Sequence, residues 1–487
     1  MYDRVVAGDP AWNGRFFTGV LTTGIYCLPS CKARKPKREN VRFFPTCEAA
    51  RAAGLRACKK CHPDDFARGA DPLLETIETL VAEIRANPGN FRDARAVVRR
   101  SGFGVTRAFE LFRQHYHSTP ADVLLRARID SAKRQLLNTE SSLSDIAYAA
   151  GFESLSTFHE NFRRLNGVTP LGFRELQSAT SFIVTLPPGY SLPYLRRAFS
   201  RDKSSVTEQL TGDRYTAAVQ LRNGPAIIKL KLASTDVRVE VVKPVETAFP
   251  TKSLDSISTE DDPSFAVEVH LIVIGWLGLD QDAAAFARLA QKLGLARLVA
   301  GRPEFRICRT SSVFDGLLWS IIGQQINFPF ACMLKRRLIE KAGAAVGNGL
   351  FAPPTPERVA ALEVNDLLPL QFSRQKAAYV IAVARLIAEH KLDLAALSAM
   401  SATRVERALL AIHGLGPWSV NYLMMRALGF ADCVPLGDTG VTSGLKALLN
   451  LDERPDVDAT RRLMAMFSPY RSLATAHLWQ FNQPLPT

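Results

Sequence analysis

The chain is poor in cysteine, with eight in 487 residues, and four of those, Cys47, Cys308, Cys332 and Cys433, belong to no spacing pattern. So few thiols cannot build a disulfide framework, and the usage is that of a protein kept reduced in the cytoplasm or on the nucleoid. Long apolar runs are missing too. No stretch reaches the roughly 20 residues that span a bilayer, and opening residues such as Asp3, Arg4 and Asp9 are not those of a secretory leader. A membrane partner is therefore not expected. Negative charge is the third shortage: 47 Asp and Glu against 61 Lys and Arg leave a formal charge of +14. That excess favours an anionic partner, nucleic acid above all. The length exceeds what one core organises and implies three or four domains, and the 47% of hydrophobic residues suffices to fill them.

The remaining four cysteines are grouped. Three residues separate Cys27 from Cys31, 26 separate Cys31 from Cys58, and two separate Cys58 from Cys61, in a stretch dense in Lys and Arg. Each close pair can reach one side of a Zn²⁺ ion, and the loop between completes a tetrahedron. By itself such a site is structural, supplying folding energy that a small module lacks. Cys47 lies outside the pattern and reads as a small buried residue.

The residues around the cysteines add to this: Thr22-Thr23-Gly24-Ile25-Tyr26-Cys27-Leu28-Pro29-Ser30-Cys31-Lys32-Ala33-Arg34, then Ala53-Gly54-Leu55-Arg56-Ala57-Cys58-Lys59-Lys60-Cys61. This run resembles the N-terminal domain of the Ada methylation-response proteins. The resemblance implies that Cys27, besides being a zinc ligand with Cys31, Cys58 and Cys61, accepts a methyl group from a methylated DNA phosphate, and that Arg34 lies on the DNA-facing surface. Zinc-bound thiol is held as thiolate, the nucleophilic form. Losing one negative charge beside a polyanion should raise affinity for DNA.

After Gly69-Ala70-Asp71-Pro72 the pattern over residues 73–177 is helical. A first helix-turn-helix runs through Ala94 and Val97, a turn at Ser101-Gly102-Phe103-Gly104, and a helix Val105–Tyr116. In the second, Ile146, Ala147, Ala150, Phe152, Leu155, Phe158 and Phe162 form the core face around a turn at Gly151. Its outer face would carry Ser154, Ser156, Thr157, His159 and Arg163 into a major groove. With Ala132-Lys133-Arg134-Gln135 before it and Gly167-Val168-Thr169-Pro170 after it, the run resembles the DNA-binding domain of AraC-type regulators. Promoter DNA and RNA polymerase then enter as partners.

From Ser181 the pattern alternates, with strands expected over 182–186, 215–221, 226–232 and 237–241 and a helix over Leu192–Phe199. Their order is similar to the α+β domain ahead of the helical part of AlkA-type 3-methyladenine glycosylases. Residues 247–262 read as a polar, acidic linker. The apolar segment 265–279 fits no such pattern.

Near the C-terminus a helix over 404–411, a hairpin His413-Gly414-Leu415-Gly416 and a second helix opened by Pro417 form a helix-hairpin-helix. Gly414 and Gly416 let backbone amides approach a phosphate. Val434-Pro435-Leu436-Gly437-Asp438-Thr439-Gly440 follows, and the combination resembles the HhH-GPD superfamily of base-excision glycosylases. Ser320-Ile321-Ile322-Gly323-Gln324-Gln325, Ser373-Arg374-Gln375-Lys376 and the run from Pro469 to Trp479 place it in the AlkA-type branch. Lyase-active members carry a lysine where this chain has Trp418, so the resemblance implies a monofunctional enzyme that hydrolyses the N-glycosidic bond without a cofactor.

Its substrates would be cationic bases such as 3-methyladenine and 7-methylguanine in double-stranded DNA. Asp438 would stabilise the oxocarbenium-like sugar or deprotonate the attacking water. Trp418, Tyr422 and Trp479 would stack on the flipped base, and Gln325 would fill the gap it leaves. His413 stands where the family commonly has proline, and Gln325 where AlkA has an apolar wedge, so damage preference should differ. No Pro-Cys-His-Arg occurs, so the second methyl acceptor of Ada proteins is missing. On the bland reading, Asp438 is only a helix cap and the aromatics are core.

The expected architecture is multidomain and mainly α. It comprises a four-cysteine zinc module at 1–68, an AraC-type double helix-turn-helix at 69–177, a small α+β antiparallel sheet domain at 178–264 and an all-α HhH-GPD domain at 265–487, acting as a monomer. The competing class is a methylation-sensing transcriptional regulator whose glycosylase fold only binds DNA.

Overall fold

The computed structural model describes residues 1–69, 71–242, 265–481 and 483–484. The linker expected over 247–262 lies outside the described residues, as does Ala70 in the turn before the helical module. The chain forms two compact units, Met1–Leu80 and Val81–Thr487.

The first unit is built on β1 (Phe17–Val20), β2 (Ile25–Cys27), β3 (Val41–Phe44) and β4 (Arg56–Ala57), in the order β3-β1-β2-β4. Phe17, Tyr26, Leu28, Phe44, Cys47 and Leu55 make a small core, so Cys47 is buried as expected. Gly19 permits it: a Cβ there would lie 2.5 Å from atoms of both Leu55 and Phe44.

The second unit begins with the two helix-turn-helix motifs, α1 (Ala94–Arg100) with α2 (Val105–Tyr116), and α3 (Leu143–Ala149) with α4 (Leu155–Asn166). Asp93, Ser142 and Ser154 cap α1, α3 and α4 through their side chains. Ile146, Ala147, Ala150, Phe152, Phe158 and Phe162 are buried in one core, with Leu155 at its edge. The turn needs Gly151, whose φ is +92° and whose Cβ would sit 2.8 Å from Gly89.

A five-stranded antiparallel sheet follows, β5 (Ser181–Thr185), β6 (Glu208–Thr211), β7 (Arg214–Leu221), β8 (Gly224–Leu232) and β9 (Asp236–Val242), ordered β5-β9-β8-β7-β6. The sequence did not announce β6, because Glu-Gln-Leu-Thr has a single apolar residue and pairs only at an edge. The helix α5 (Leu192–Phe199) lies where expected.

The apolar segment is α6 (Phe265–Leu277), and packing explains its composition. Ala266 and Val267 complete the helix-turn-helix core, while Val269, Val273, Ile274, Trp276 and Leu277 enter the core of the sheet. A helix buried on several sides has no face for polar residues. Its one imidazole, His270, is wholly buried and lies 2.8 Å from the Asn166 carbonyl oxygen.

The remaining core is a helical body containing α7 (Val313–Ile322), α8 (Phe328–Ala342), α9 (Arg374–Ala388), α10 (Ala402–Leu410), α11 (Pro417–Arg426), α12 (Thr439–Leu449) and α13 (Arg471–Phe481). The sequence led to the expectation of an all-α domain here, but Ala344–Gly347 and Leu350–Ala352 pair as a β-ribbon. That ribbon shares a small core with Ala218 and Ile227 of the sheet. The helix-turn-helix region also packs on this body: α2 lies against α10, with His115 Nδ1 2.8 Å from Thr403 Oγ1. No helix among the described residues is long and apolar enough to cross a membrane.

Candidate active site and metal centre

Asp438 occupies the N-cap of α12, its Oδ1 accepting the Val441 amide at 3.0 Å. Capping does not use up the carboxylate, because two indoles also donate to it. Trp479 Nε1 reaches Oδ1 at 2.9 Å and Trp418 Nε1 reaches Oδ2 at 3.1 Å. Trp418 stacks on Tyr422 with ring centres 5.3 Å apart and planes 21° apart, and Trp479 lies tilted at 6.0 Å from Tyr422. All four residues line one cavity of about 500 Å³.

Two glycines that sequence reasoning passed over make this arrangement possible. A Cβ on Gly440 would lie 2.7 Å from Trp479 Cδ1, and one on Gly444 2.7 Å from the Leu478 carbonyl oxygen. Residues four apart share a helix face, so this bare face lets α13 approach α12 and brings Trp479 to Asp438. The signal was present as Gly440-x-x-x-Gly444, but it carries no chemistry on its own.

The hairpin between α10 and α11 lies beside this cavity. Gly414, at φ +94°, faces the ring of Tyr379, which a Cβ would strike at 2.5 Å. Its absolute requirement is thus intramolecular packing. Gly416 is open, with nothing near its missing side chain, and serves as the N-cap of α11 without a side-chain capping bond. The first amides of α11 are consequently available for an anion.

Gln324, rather than its neighbour, ties the end of α7 to the hairpin, donating to the Gly414 carbonyl at 2.8 Å and Ser419 Oγ at 2.9 Å. Lys376 closes α7 by donating to the carbonyls of Ile321, Ile322 and Gln324 at 3.2, 3.0 and 2.6 Å. Gln325 is exposed at φ +56°, on the tip beyond α7 and outside the cavity lining.

The four cysteines meet in the first unit. Parallel pairing of β2 with β4 matches Tyr26 with Ala57, so the next residues, Cys27 and Cys58, emerge side by side. The four sulfurs lie within 4.8 Å of one another. A ZnS₄ tetrahedron with bonds of about 2.3 Å needs sulfurs about 3.8 Å apart, so the donor set fits zinc in number, type and separation. The sulfurs are not equivalent. Cys61 Sγ accepts the Leu28 amide at 3.3 Å, Cys58 Sγ the Lys60 amide at 3.4 Å, and Cys31 the Ala33 amide. No such donor faces Cys27 among the described residues. Cys31 is drawn down by its bonds to Cys27 and Cys61, while Cys31 and Cys61 push Cys27 up.

In the second helix-turn-helix, Ser156, Thr157 and Arg163 are exposed and His159 is half-buried edge-on against Phe158 at 5.6 Å. The Ser154 hydroxyl is committed locally, accepting the Thr157 amide and lying 2.8 Å from Thr157 Oγ1. Arg34 is exposed, three residues beyond Cys31.

Comparison with known proteins fits this order of parts. Residues 1–64 match the metal binding domain of Ada, 97–176 a helix-turn-helix domain, and 318–469 the HhH-GPD superfamily of base excision DNA repair proteins. A Mycobacterium tuberculosis protein named "Probable bifunctional transcriptional activator/DNA repair enzyme AlkA" is 28% identical over 98% of this chain and 95% of its own length. The DNA-3-methyladenine glycosylase of Bacillus subtilis is 32% identical, over 61% of this chain and 96% of that protein. Among solved structures, the 3-methyladenine DNA-glycosylase of Archaeoglobus fulgidus shares the fold with a TM-score of 0.51 at 19% identity, covering 62% of this chain and 98% of that one.

Proposed function

Since this chain belongs to the DNA-3-methyladenine glycosylase family and carries Ada-type metal-binding and helix-turn-helix domains ahead of its HhH-GPD fold, we propose that it hydrolyses the N-glycosidic bond of alkylated bases such as 3-methyladenine and 7-methylguanine in double-stranded DNA. It is a DNA glycosylase fused to regulatory domains, and DNA is its partner. The observation that carries the substrate reading is the carboxylate of Asp438, held by two indole N–H groups in an aromatic cavity.

A flipped cationic purine would stack on Trp418, Tyr422 or Trp479, where the ring faces favour positive charge by about 0.5–2 kcal/mol. Such a base leaves readily, so the chain's work falls on the sugar. Three N–H donors converge on Asp438 and suit it to act as a fixed negative charge beside the oxocarbenium-like sugar, more than as a group that must take up a proton. Among the described residues the cavity lining contains no lysine, which supports direct hydrolysis by water over Schiff-base chemistry; the step as proposed calls for no cofactor. Gly416 and the N-terminus of α11 would hold a phosphate flanking the extruded nucleotide, Gly414 would shape the hairpin, and Gln325 would enter the vacated stack.

In the first unit, Cys27, Cys31, Cys58 and Cys61 would hold Zn²⁺, which when bound keeps its thiols deprotonated. Amide donors damp the nucleophilicity of three sulfurs, which supports Cys27 as the acceptor. Its sulfur would form a bond to the methyl carbon of a phosphate triester while the carbon–oxygen bond breaks, leaving the diester. Arg34 would contact that backbone. Ser156, Thr157, His159 and Arg163 would face promoter DNA, with Ser154 positioning the helix, and RNA polymerase would be the further partner of a cytoplasmic monomer.

The test is release of free methylated base from alkylated duplex DNA by the zinc-containing protein and by Asp438→Asn, a substitution that keeps a capping side chain. Release by the former and not the latter establishes the reading. No release by either, with DNA binding intact, would favour a regulator that only binds DNA.

A further inference from the structure

The aromatic cavity is lined by five charged side chains, Asp438, Arg197, Arg201, Arg306 and Arg426. Arg306 pairs with Glu304 at 2.8 Å, and Arg197 donates to Gln480 Oε1 at 3.0 Å. Arg201 is different. Its guanidinium carbon stands 4.1 Å from the centre of the Phe328 ring and beside the Tyr422 hydroxyl. Among the described residues no carboxylate forms an ion pair with it, and the side chain is exposed to the cavity.

Its position along the cavity can be ordered. Arg201, Trp319, Phe328, Tyr422 and Arg426 line both this cavity and a smaller adjoining one of about 150 Å³, whereas Asp438, Trp418 and Trp479 line only the first. Arg201 therefore stands where the two cavities adjoin, on the side away from Asp438. A purine is attached through N9. With its sugar carbon at Asp438, the edge remote from N9, which bears the substituent on C6, points toward that junction. A guanidinium has five N–H donors and no acceptor. It can bond a carbonyl oxygen on C6, and it opposes an amino group there, donor against donor.

Resting on the glycosylase reading above, we propose that Arg201 reads the group on C6 of the flipped base and raises release of 6-oxopurines such as 7-methylguanine relative to 6-aminopurines such as 3-methyladenine. Both methylated nucleosides are monocations, so the positive lining disfavours them alike. Their ratio isolates the exocyclic group.

Duplex DNA treated with dimethyl sulfate carries both bases, and chromatography of the released products gives both initial rates in one reaction. The ratio of 7-methylguanine to 3-methyladenine release should fall at least about tenfold in Arg201→Met, the scale of one charged hydrogen bond. It should fall less in Arg201→Lys, which keeps a donor but not the fork. The ratio is internal to each protein, so a fraction of misfolded enzyme does not alter it. A smaller fall in Arg201→Met, or a rise, overturns the role of Arg201 while leaving the glycosylase. Release of neither base by the intact protein overturns the proposed function and this inference with it.

Discussion

Trp479 donates its indole N–H to Asp438 Oδ1 at 2.9 Å across 41 positions of sequence, so an aromatic expected only to stack on a base also aims the carboxylate. The bond exists because Gly440 leaves room for the indole. Trp479→Phe should therefore lose more than a stacking surface, with kcat for base release falling about tenfold or more, equivalent to one hydrogen bond to a charged group. Gly440→Ala should reproduce much of that loss with every aromatic in place, since its Cβ displaces the ring. Wild-type kcat in both variants would show that Trp479 does not orient Asp438.

Acid should weaken the second unit through two histidines. His270 and His477 are both wholly buried, and burial pulls each to about 3, with Lys133 and Arg302 respectively lowering them further. Neither His270 Nδ1 nor His477 Nε2 has a hydrogen-bond partner among the described residues, so an added proton finds no acceptor. The unfolded chain binds these protons near pH 6.5 and the folded chain only near 3. Their stabilising effect is complete above about 6.5 and is lost as the pH falls toward 3, each contributing a slope of up to about 1.4 kcal/mol per pH unit. These two imidazoles alone should lower the stability read by urea unfolding with tryptophan fluorescence by about 3–4 kcal/mol at pH 5 relative to pH 7.5, and His117, drawn down to about 4 by burial, adds to the loss. Equal midpoints would mean that the imidazoles are protonated in the fold.

Zinc removal should separate the two units. The first has a core of only a few large side chains, and a metal bound by four cysteines would supply much of its folding free energy. A strong chelator should abolish amide-exchange protection in β1 to β4 while base release by the second unit persists. Protection that survives chelation would show that the sulfur cluster is not what holds the module.

Much of the site was legible in the sequence because it is encoded over short spans. The paired cysteines, the glycine hairpin before Pro417 and the capped Asp438 each depend on a few consecutive residues whose backbone preferences and donor atoms are local. The helix limits of α2 and α5 followed from periodicity for the same reason. Other features had no local signature. An edge strand such as β6 has almost no apolar face, and a doubly buried helix such as α6 has no polar one, so neither produces a readable alternation.

The sequence alone determined the order of the modules, the zinc donor set, the helix-hairpin-helix and the absence of a lysine at Trp418, since each is a matter of residue identity and spacing. Only the tertiary structure decided that Cys27 lacks, among the described residues, the amide donor its three partners have, that α6 completes two cores at once, and that Arg201 enters the cavity containing Asp438. Those are contacts between segments remote in the chain. They are selected by which packing buries the apolar surface and satisfies the buried polar groups together, and no window of neighbouring residues contains that information.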